Sequence, residues 1–381
     1  MRYVIVTETY PPEVNGVALT VQGLEEGLRQ RGHHVSVVRP RQDGAAQAAQ
    51  DTVLVRGAGL PRYPGLRFGL PAPLQLKEHF RAFAPDAIYV ATEGPLGWSA
   101  LRAAQRLGIP VATGFHTRFD HYMGDYGLPW LQPVALGWMR RFHNRGNATL
   151  VPTHELAQWL QGQGFGKVKR LARAVDTGQF HPGLRSDALR ALWGAGEATP
   201  VLLSVGRIAA EKNLGLAVQA FRELQARVPQ ARMVWVGDGP ERAALQQANP
   251  DFVFCGVQRG VELARHYASA DLFVFPSRSE TFGNVTLEAM ASGLATVAFD
   301  SGAAHEHLRN GLHGAAVGDD AQFVAAVLEL GGDAQRLRAM GAAAHQAVQA
   351  LQPAQVAADF DALLAGLAHS RKEESADALA V

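Results

Sequence analysis

The sequence predicts an α/β protein of two domains, each built on its own parallel sheet. Three observations lead there. Residues 1–40 read strand, loop, helix, strand, which makes one βαβ unit. From residue 200 onward a second alternating series begins, with apolar runs separated by helical stretches. Between the two series, "RAVDTGQFHPGLRSD" (173–187) breaks into Gly, Pro and polar residues and reads as an interdomain connection.

The elements follow in order. "RYVIVTE" (2–8) is rich in β-branched residues and reads as a strand. "TYPPEVNG" is a turn-rich loop, "VALTVQGLEEGLRQRG" has helical spacing and stops at Gly32, and "HHVSVVRP" is the next strand. Joining two neighbouring strands through a helix makes them parallel. "DGAAQAAQD" (43–51) reads as a loop, while "DAIYVA", "PVATGF" and "ATLVPT" continue the first series. The second series is "PVLLSVGRI", "ARMVWVGDG", "DFVFCGV", "DLFVFPS" and "ATVAFD". The domains are therefore expected at 1–180 and 181–353. After Pro353, "AQVAADFDALLAGLA" (354–368) reads as a last amphipathic helix, and 369–381 as a frayed, flexible tail.

Composition narrows the function. The chain has 381 residues, more than one ordinary core holds, and a formal net charge of +1. No global field argues for nucleic acid as a partner. Its single cysteine, Cys255, excludes an intramolecular disulfide and reads as a small core residue in "FVFCGV". The N-terminal apolar run meets Glu8 at once, so no secretory leader is read there, and no stretch approaches the roughly 18 apolar residues of a spanning helix. A cytoplasmic location is expected.

Ligands of open α/β sheets bind at the carboxyl ends of strands. Several loops here stand at such ends: Asn15-Gly16, "GRIAAEKN", "GDGPE" and "SRSETFGN". In "SETFGNVTLEAMASG" (279–293), two acids bracket a helix start. Asn284 is placed to cap that helix and Gly293 to end it. The free N–H groups at such a start bind phosphate, and Gly283 lets a ligand approach the backbone. Glu288, four residues after Asn284, shares its face and can accept hydrogen bonds from vicinal hydroxyls. Glu280 can do the same at the other end of the ligand. A diphosphate held between a ribose and a second polyol is a nucleotide sugar. Arg207 and Lys212, in "VGRIAAEKN", supply the cations that a diphosphate leaving group needs. Taken singly, each loop is also compatible with an ordinary βα turn.

These residues carry a family resemblance. "SVGRIAAEKN", "VGDGPER", "LARHYASADLFVFPS" and "SETFGNVTLEAMASGLATVAFDSGAAHEHL" resemble the retaining glycosyltransferases of family 4, as do "TETYPPEVNGV", "RGHHV", "GFHTRFDHY" and "AVDTGQFHP". The resemblance runs to about residue 350. It implies the GT-B fold, two Rossmann-like parallel-sheet domains facing across a cleft. "FHTRFDHYMGDYG" with "RRFHNRGNATLVPT" is most similar to the branch of GDP-mannose-dependent α-mannosyltransferases and glycolipid glycosyltransferases.

The resemblance implies roles residue by residue. Asn15 and Gly16 correspond to the loop beside the donor diphosphate, and Arg207 and Lys212 to the pair that holds it. Glu280 matches the acid on the donor sugar. Phe282, Gly283 and Asn284 match the turn whose backbone meets sugar and phosphate, and Glu288 the ribose acid. His116 matches a histidine near the sugar and the reaction centre. The backbone of Cys255–Val257 borders the base. Acceptor contacts fall in "HYMGDYGLPWLQPVALGWMRR" (121–141). Gly302-Ala303 stands where relatives often have Gly-Gly.

The implied reaction moves a hexose, mannose or glucose-type, from a nucleoside-diphosphate sugar (GDP-mannose or a UDP-sugar) to an acceptor hydroxyl on a sugar or lipid, with retention. The leaving phosphate takes the acceptor's proton. No cofactor and no metal are expected: the one DxD, Asp359-Phe360-Asp361, lies in the last helix and reads as a solvated face. "WMRRFHNR" (138–145) mixes aromatics with arginines and suits an anionic membrane surface, here the inner face of the membrane. Three alternatives stay in view. A dinucleotide oxidoreductase is disfavoured, because no G-x-G-x-x-G follows the first strand. A nucleotide-sugar 2-epimerase of GT-B fold and a non-catalytic nucleotide-sugar binding protein remain.

Overall fold

A computed structural model describes residues 1–13, 16–42, 51–60, 63–116, 132–278 and 280–377. The chain forms two compact units, Met1–Arg173 with Pro353–Val381, and Ala174–Gln352.

The first unit has a seven-stranded parallel sheet in the order β3-β2-β1-β6-β7-β8-β9. Its strands are β1 (Arg2–Val6), β2 (His34–Pro40), β3 (Thr52–Val55), β6 (Ala87–Val90), β7 (Val111–Gly114), β8 (Ala148–Val151) and β9 (Val168–Arg170). β4 (Gly57–Leu60) and β5 (Tyr63–Gly69) form a separate antiparallel pair. Helices α1 (Gly16–Gln30), α2 (Pro73–Phe83), α3 (Pro95–Arg106), α4 (Gln132–His143) and α5 (His154–Gly162) lie between strands. In β1, Tyr3 to Val6 are all buried, because β1 is an inner strand with both faces covered.

The second unit has a six-stranded parallel sheet, β12-β11-β10-β13-β14-β15. These are β10 (Val201–Val205), β11 (Arg232–Val236), β12 (Val253–Phe254), β13 (Leu272–Phe275), β14 (Ala295–Phe299) and β15 (Gly314–Val317). Between them run α6 (Asp187–Leu192), before β10, then α7 (Leu214–Arg227), α8 (Arg242–Ala248), α9 (Gly260–Ser269), α10 (Asn284–Ala291) and α11 (Gly302–His307); α12 (Asp320–Leu330) and α13 (Ala334–Val348) follow β15. Period two sorts its strands onto two core layers. Val201, Leu203, Val205, Phe273 and Phe275 enter one layer; Leu202, Leu272 and Val274 enter the other. Burying a side chain such as Leu203 or Phe273 is worth roughly 1.5–3 kcal/mol. Cys255 is partly buried and packs against the first layer from its margin, so it borders the core rather than belonging to it.

The closing helix, α14, runs Pro353–Asp377, beyond the 354–368 span expected from the sequence. The chain past 368 is rich in good helix formers, which carry it on. The reading of Asp359 and Asp361 as one solvated face needs correcting. Asp359 is exposed and accepts from Gln355 Nε2 at 2.9 Å. Asp361 turns inward to meet donors on β1 and on the turn after α1. It accepts from Tyr3 Oη at 3.0 Å and Arg31 Nε at 3.0 Å, and lies 2.9 Å from His33 Nε2. α14 is thus pinned to the first unit.

Candidate active site

In the second unit the chain runs from β10 to β11 and β12 on one side of the sheet, and from β13 to β14 and β15 on the other. β10 and β13 are neighbours, so the winding reverses between them. The loops leaving such a pair part toward opposite faces and leave a crevice at the carboxyl ends. Here those loops carry Arg207 to Lys212 and Ser277 to Gly283. A cavity of about 20 Å³ at this place is lined by residues including Gly206, Arg207, Lys212 and Phe275.

The switch point brings Lys212 onto Glu280, 68 residues away in the chain, as an ion pair. Ser277 Oγ donates to the same carboxylate at 2.8 Å. Arg207 pairs with Glu211, whose side chain is only 7% exposed. Both cations read from the sequence therefore sit on one loop, and each meets a carboxylate. Glu211 and Ser277 were not singled out by spacing, because their partners are set by how the loops fold.

Helix α10 opens differently from the expectation. Gly283, at φ 83, is the N-cap, and Asn284 is the first helical residue, with no side-chain cap. The left-handed backbone at the cap suits glycine. The helix ends as expected, with Gly293 at φ 78 beyond Ser292. Phe282 buries its ring in the core while its carbonyl accepts from Ala303 N at 2.7 Å. A Cβ on Gly302 would come within 2.4 Å of that carbonyl, so α11 can approach the turn only with glycine there. Glu288 follows on α10 and accepts from Tyr267 Oη at 2.9 Å. Burial pushes its carboxyl up to about 7, and the Tyr267 hydrogen bond only partly opposes this. Val257 is 48% exposed on the loop after β12, where Gly237 N donates to Gly256 O at 2.8 Å.

In the first unit, Gly16 is the exposed first residue of α1. His116 follows β7 and is partly buried. Its Nε2 lies 2.7 Å from Tyr89 Oη, and its Nδ1 lies 2.5 Å from Arg173 Nη2. Asn15 lies outside the described residues, as do Ser279 and 117–131, most of the stretch expected to carry acceptor contacts. Among the described residues, no group of three or more His, Cys, Asp or Glu side chains is placed to hold a metal ion. No described helix is long and apolar enough to cross a membrane.

The site has a cation pair, two helix-flanking acids and a bare helix start at one switch point. It can hold a phosphate ester flanked by hydroxylated groups. Comparison with known proteins agrees. Residues 14–179 match the family model "Glycosyltransferase Family 4", and 199–333 match "Glycosyl transferases group 1". The chain is 36% identical over 312 residues to a GDP-mannose-dependent alpha-mannosyltransferase of Mycobacterium tuberculosis, covering 79% of this chain and 80% of the relative. It is 27% identical over 347 residues to an alpha-monoglucosyldiacylglycerol synthase of Streptococcus pneumoniae, covering 86% and 78%. Among solved structures, sucrose-phosphate synthase from Thermosynechococcus elongatus superposes with a TM-score of 0.77 at 18% identity, over 97% of this chain and 99% of that one. The two parallel-sheet units are those of the GT-B fold, and the chain belongs to glycosyltransferase family 4.

Proposed function

We propose that this glycosyltransferase moves a hexose from a nucleoside-diphosphate sugar to an acceptor hydroxyl, with retention and without a metal ion. The observation that carries this is the Lys212–Glu280 pair beside the bare start of α10. It joins a phosphate-binding cation to a hydroxyl-binding acid at one switch point. With donor bound, Arg207, Lys212 and the N–H groups of α10 would hold the diphosphate and stabilise the charge that grows as the sugar–phosphate bond breaks. Glu280 would hold sugar hydroxyls, and Glu288 the ribose. The leaving phosphate would take the acceptor's proton.

GDP-mannose is the first donor to try, because the mycobacterial relative is named for it. A panel of nucleotide sugars, each incubated with EDTA and with magnesium, should show one donor consumed at the same rate in both. Complete loss in EDTA, restored by magnesium, would overturn the metal-independent reading. Epimerised donor with no transfer would overturn the transferase.

A lipid acceptor at the inner membrane face is the finer part of the proposal. On α4, Val134 is 66% exposed and Trp138, one turn on, is 43% exposed, with exposed Arg141 beside them on the helix. An exposed apolar pair with an arginine beside it suits an anionic interface. Salt-sensitive binding to anionic vesicles is expected; no binding at low salt would remove this support for a lipid acceptor.

A further inference from the structure

His116 is bracketed by two partners of different kinds. Arg173 has donors only and cannot accept. With Arg173 Nη2 2.5 Å from Nδ1, that nitrogen must present its lone pair. A neutral imidazole then carries its proton on Nε2, 2.7 Å from Tyr89 Oη. We infer that Arg173 is a positioning residue: it fixes His116 as the Nε2–H tautomer, so that neither ring nitrogen is left as a base.

The surroundings are built for this. A Cβ on Gly114 would lie 2.2 Å from Tyr89 Oη and 2.6 Å from His116 Nε2, so the ring folds back over the end of β7 only because residue 114 is glycine. Tyr89 is buried on β6, and its ring meets Phe360 of α14 edge-on at 5.0 Å. Three elements thus converge on one ring. The charged and titratable groups facing the cluster are Arg173 after β9, Tyr89 on β6, His143 on α4, and Glu93, which acts on Tyr89. Among the described residues, Arg173 makes no ion pair with a carboxylate, and its hydrogen bond goes to the ring. Burial, then Arg173, then His143 hold the imidazolium well below its ordinary range, so the ring stays neutral.

The inference rests on the proposed function in one respect, the placing of His116 near the reacting sugar. With both nitrogens engaged, the ring can orient groups but cannot remove the acceptor's proton. That agrees with a reaction in which the leaving phosphate takes it.

Histidine-selective ¹⁵N NMR reads the tautomer without any sugar donor, with His116→Gln identifying the signal. The wild-type ring should be neutral with a bare Nδ1 and should keep that form from pH 8 to pH 6. Arg173→Met should lose the single tautomer, Arg173→Lys should restore it, and Tyr89→Phe should leave Nδ1 bare. Thermal unfolding of each variant checks that the fold persists. In transfer assays Arg173→Met should lower kcat by up to about 100-fold, with donor KM little changed and activity partly rescued by Lys. An unchanged tautomer in Arg173→Met, or a wild-type ring protonated on Nδ1, overturns the inference. A lost tautomer with full kcat overturns the positioning role. Absence of transfer by wild-type protein with every donor counts against the proposed function instead, since the NMR arm still reads Arg173.

Discussion

Glu288 and Asp361 are carboxylates set into the fold, one in each unit, and they titrate in opposite directions. Burial raises Glu288 to about 7. Burial raises Asp361 too, but hydrogen bonds from His33, Arg31 and Tyr3 outweigh it, and the group ends below its ordinary range. The difference lies in the surroundings and the number of partners. Glu288 keeps some accessible surface yet is crowded by protein, and among the described residues it has one donor, Tyr267. Asp361 is shielded by its immediate neighbours and meets three groups that favour its charge. A carboxylate whose lone pairs are satisfied by the fold serves the fold. One on the helix after β13, with a single protein donor among the described residues, fits the ligand-binding role proposed above.

The largest expected effect tests the structural side. Asp361→Ala strips Tyr3, Arg31 and His33 of their acceptor and should cost about 3 kcal/mol, read by urea unfolding at pH 7. The pH signs differ as well. Asp361 is depressed in the folded state, so its stabilisation is present above the unfolded value of about 3.9 and lost as pH falls through the folded value. Glu288 is raised, so its contribution is present below about 4.3 and lost as pH rises toward about 7. Glu288→Gln should therefore be at least as stable as wild type at pH 8. If Glu288→Gln destabilises as much as Asp361→Ala, the division between a structural and a ligand-binding acid is wrong.

The same contrast explains what could be read from the sequence. β10, β11, β13 and β14 are legible because both faces are buried, which writes long apolar runs. β15, "GAAV", lacks that signature, and β9 is a three-residue edge strand. That Arg207, Lys212, Glu280 and Glu288 fall on loops and a helix start that follow strands is legible, because their spacing marks those boundaries. Their partners are not. Tyr267 comes from another helix, Arg173 lies 57 residues from His116, and Asp361 meets Tyr3 from 358 residues away. Periodicity carries no information about such distant contacts, so Asp361 reads as a surface residue until the fold is seen.

Glu280 stands between the two extremes, being partly buried and tied to Lys212 and Ser277. On the proposed function, donor binding would divide that pair, with Lys212 on diphosphate and Glu280 on sugar. Lys212→Ala and Arg207→Ala should each lower kcat on the order of 100-fold, because their attraction grows as the leaving group gains charge. Arg207→Lys should also be slow, since a point charge does not replace a planar fork. Glu280→Gln should lower kcat more than it raises KM, and Glu288→Gln should do the reverse. Steady-state kinetics on the five variants decides; if the two glutamine variants exchange patterns, the acids have been assigned the wrong way round.

The smallest effect is the most specific to Glu288. If it accepts both ribose hydroxyls it must do so ionised, and with a free value of about 7 it is largely protonated at pH 6. Donor binding then has to release that proton. A single group of this kind weakens affinity by about tenfold between pH 8 and pH 6. The intact nucleotide sugar is the right probe, because its diphosphate is esterified at both ends and does not titrate there, whereas a free nucleoside diphosphate does. Tyr267, the partner on α9, is held well above its ordinary value by burial and stays protonated throughout. Calorimetry in two buffers of different ionisation enthalpy should show proton release at pH 6 and little at pH 8. Glu288→Gln should bind more weakly and with a flat pH profile. A flat profile in the wild type would mean that Glu288 need not be ionised to bind its ligand, and that ribose is not held by this carboxylate in the way proposed.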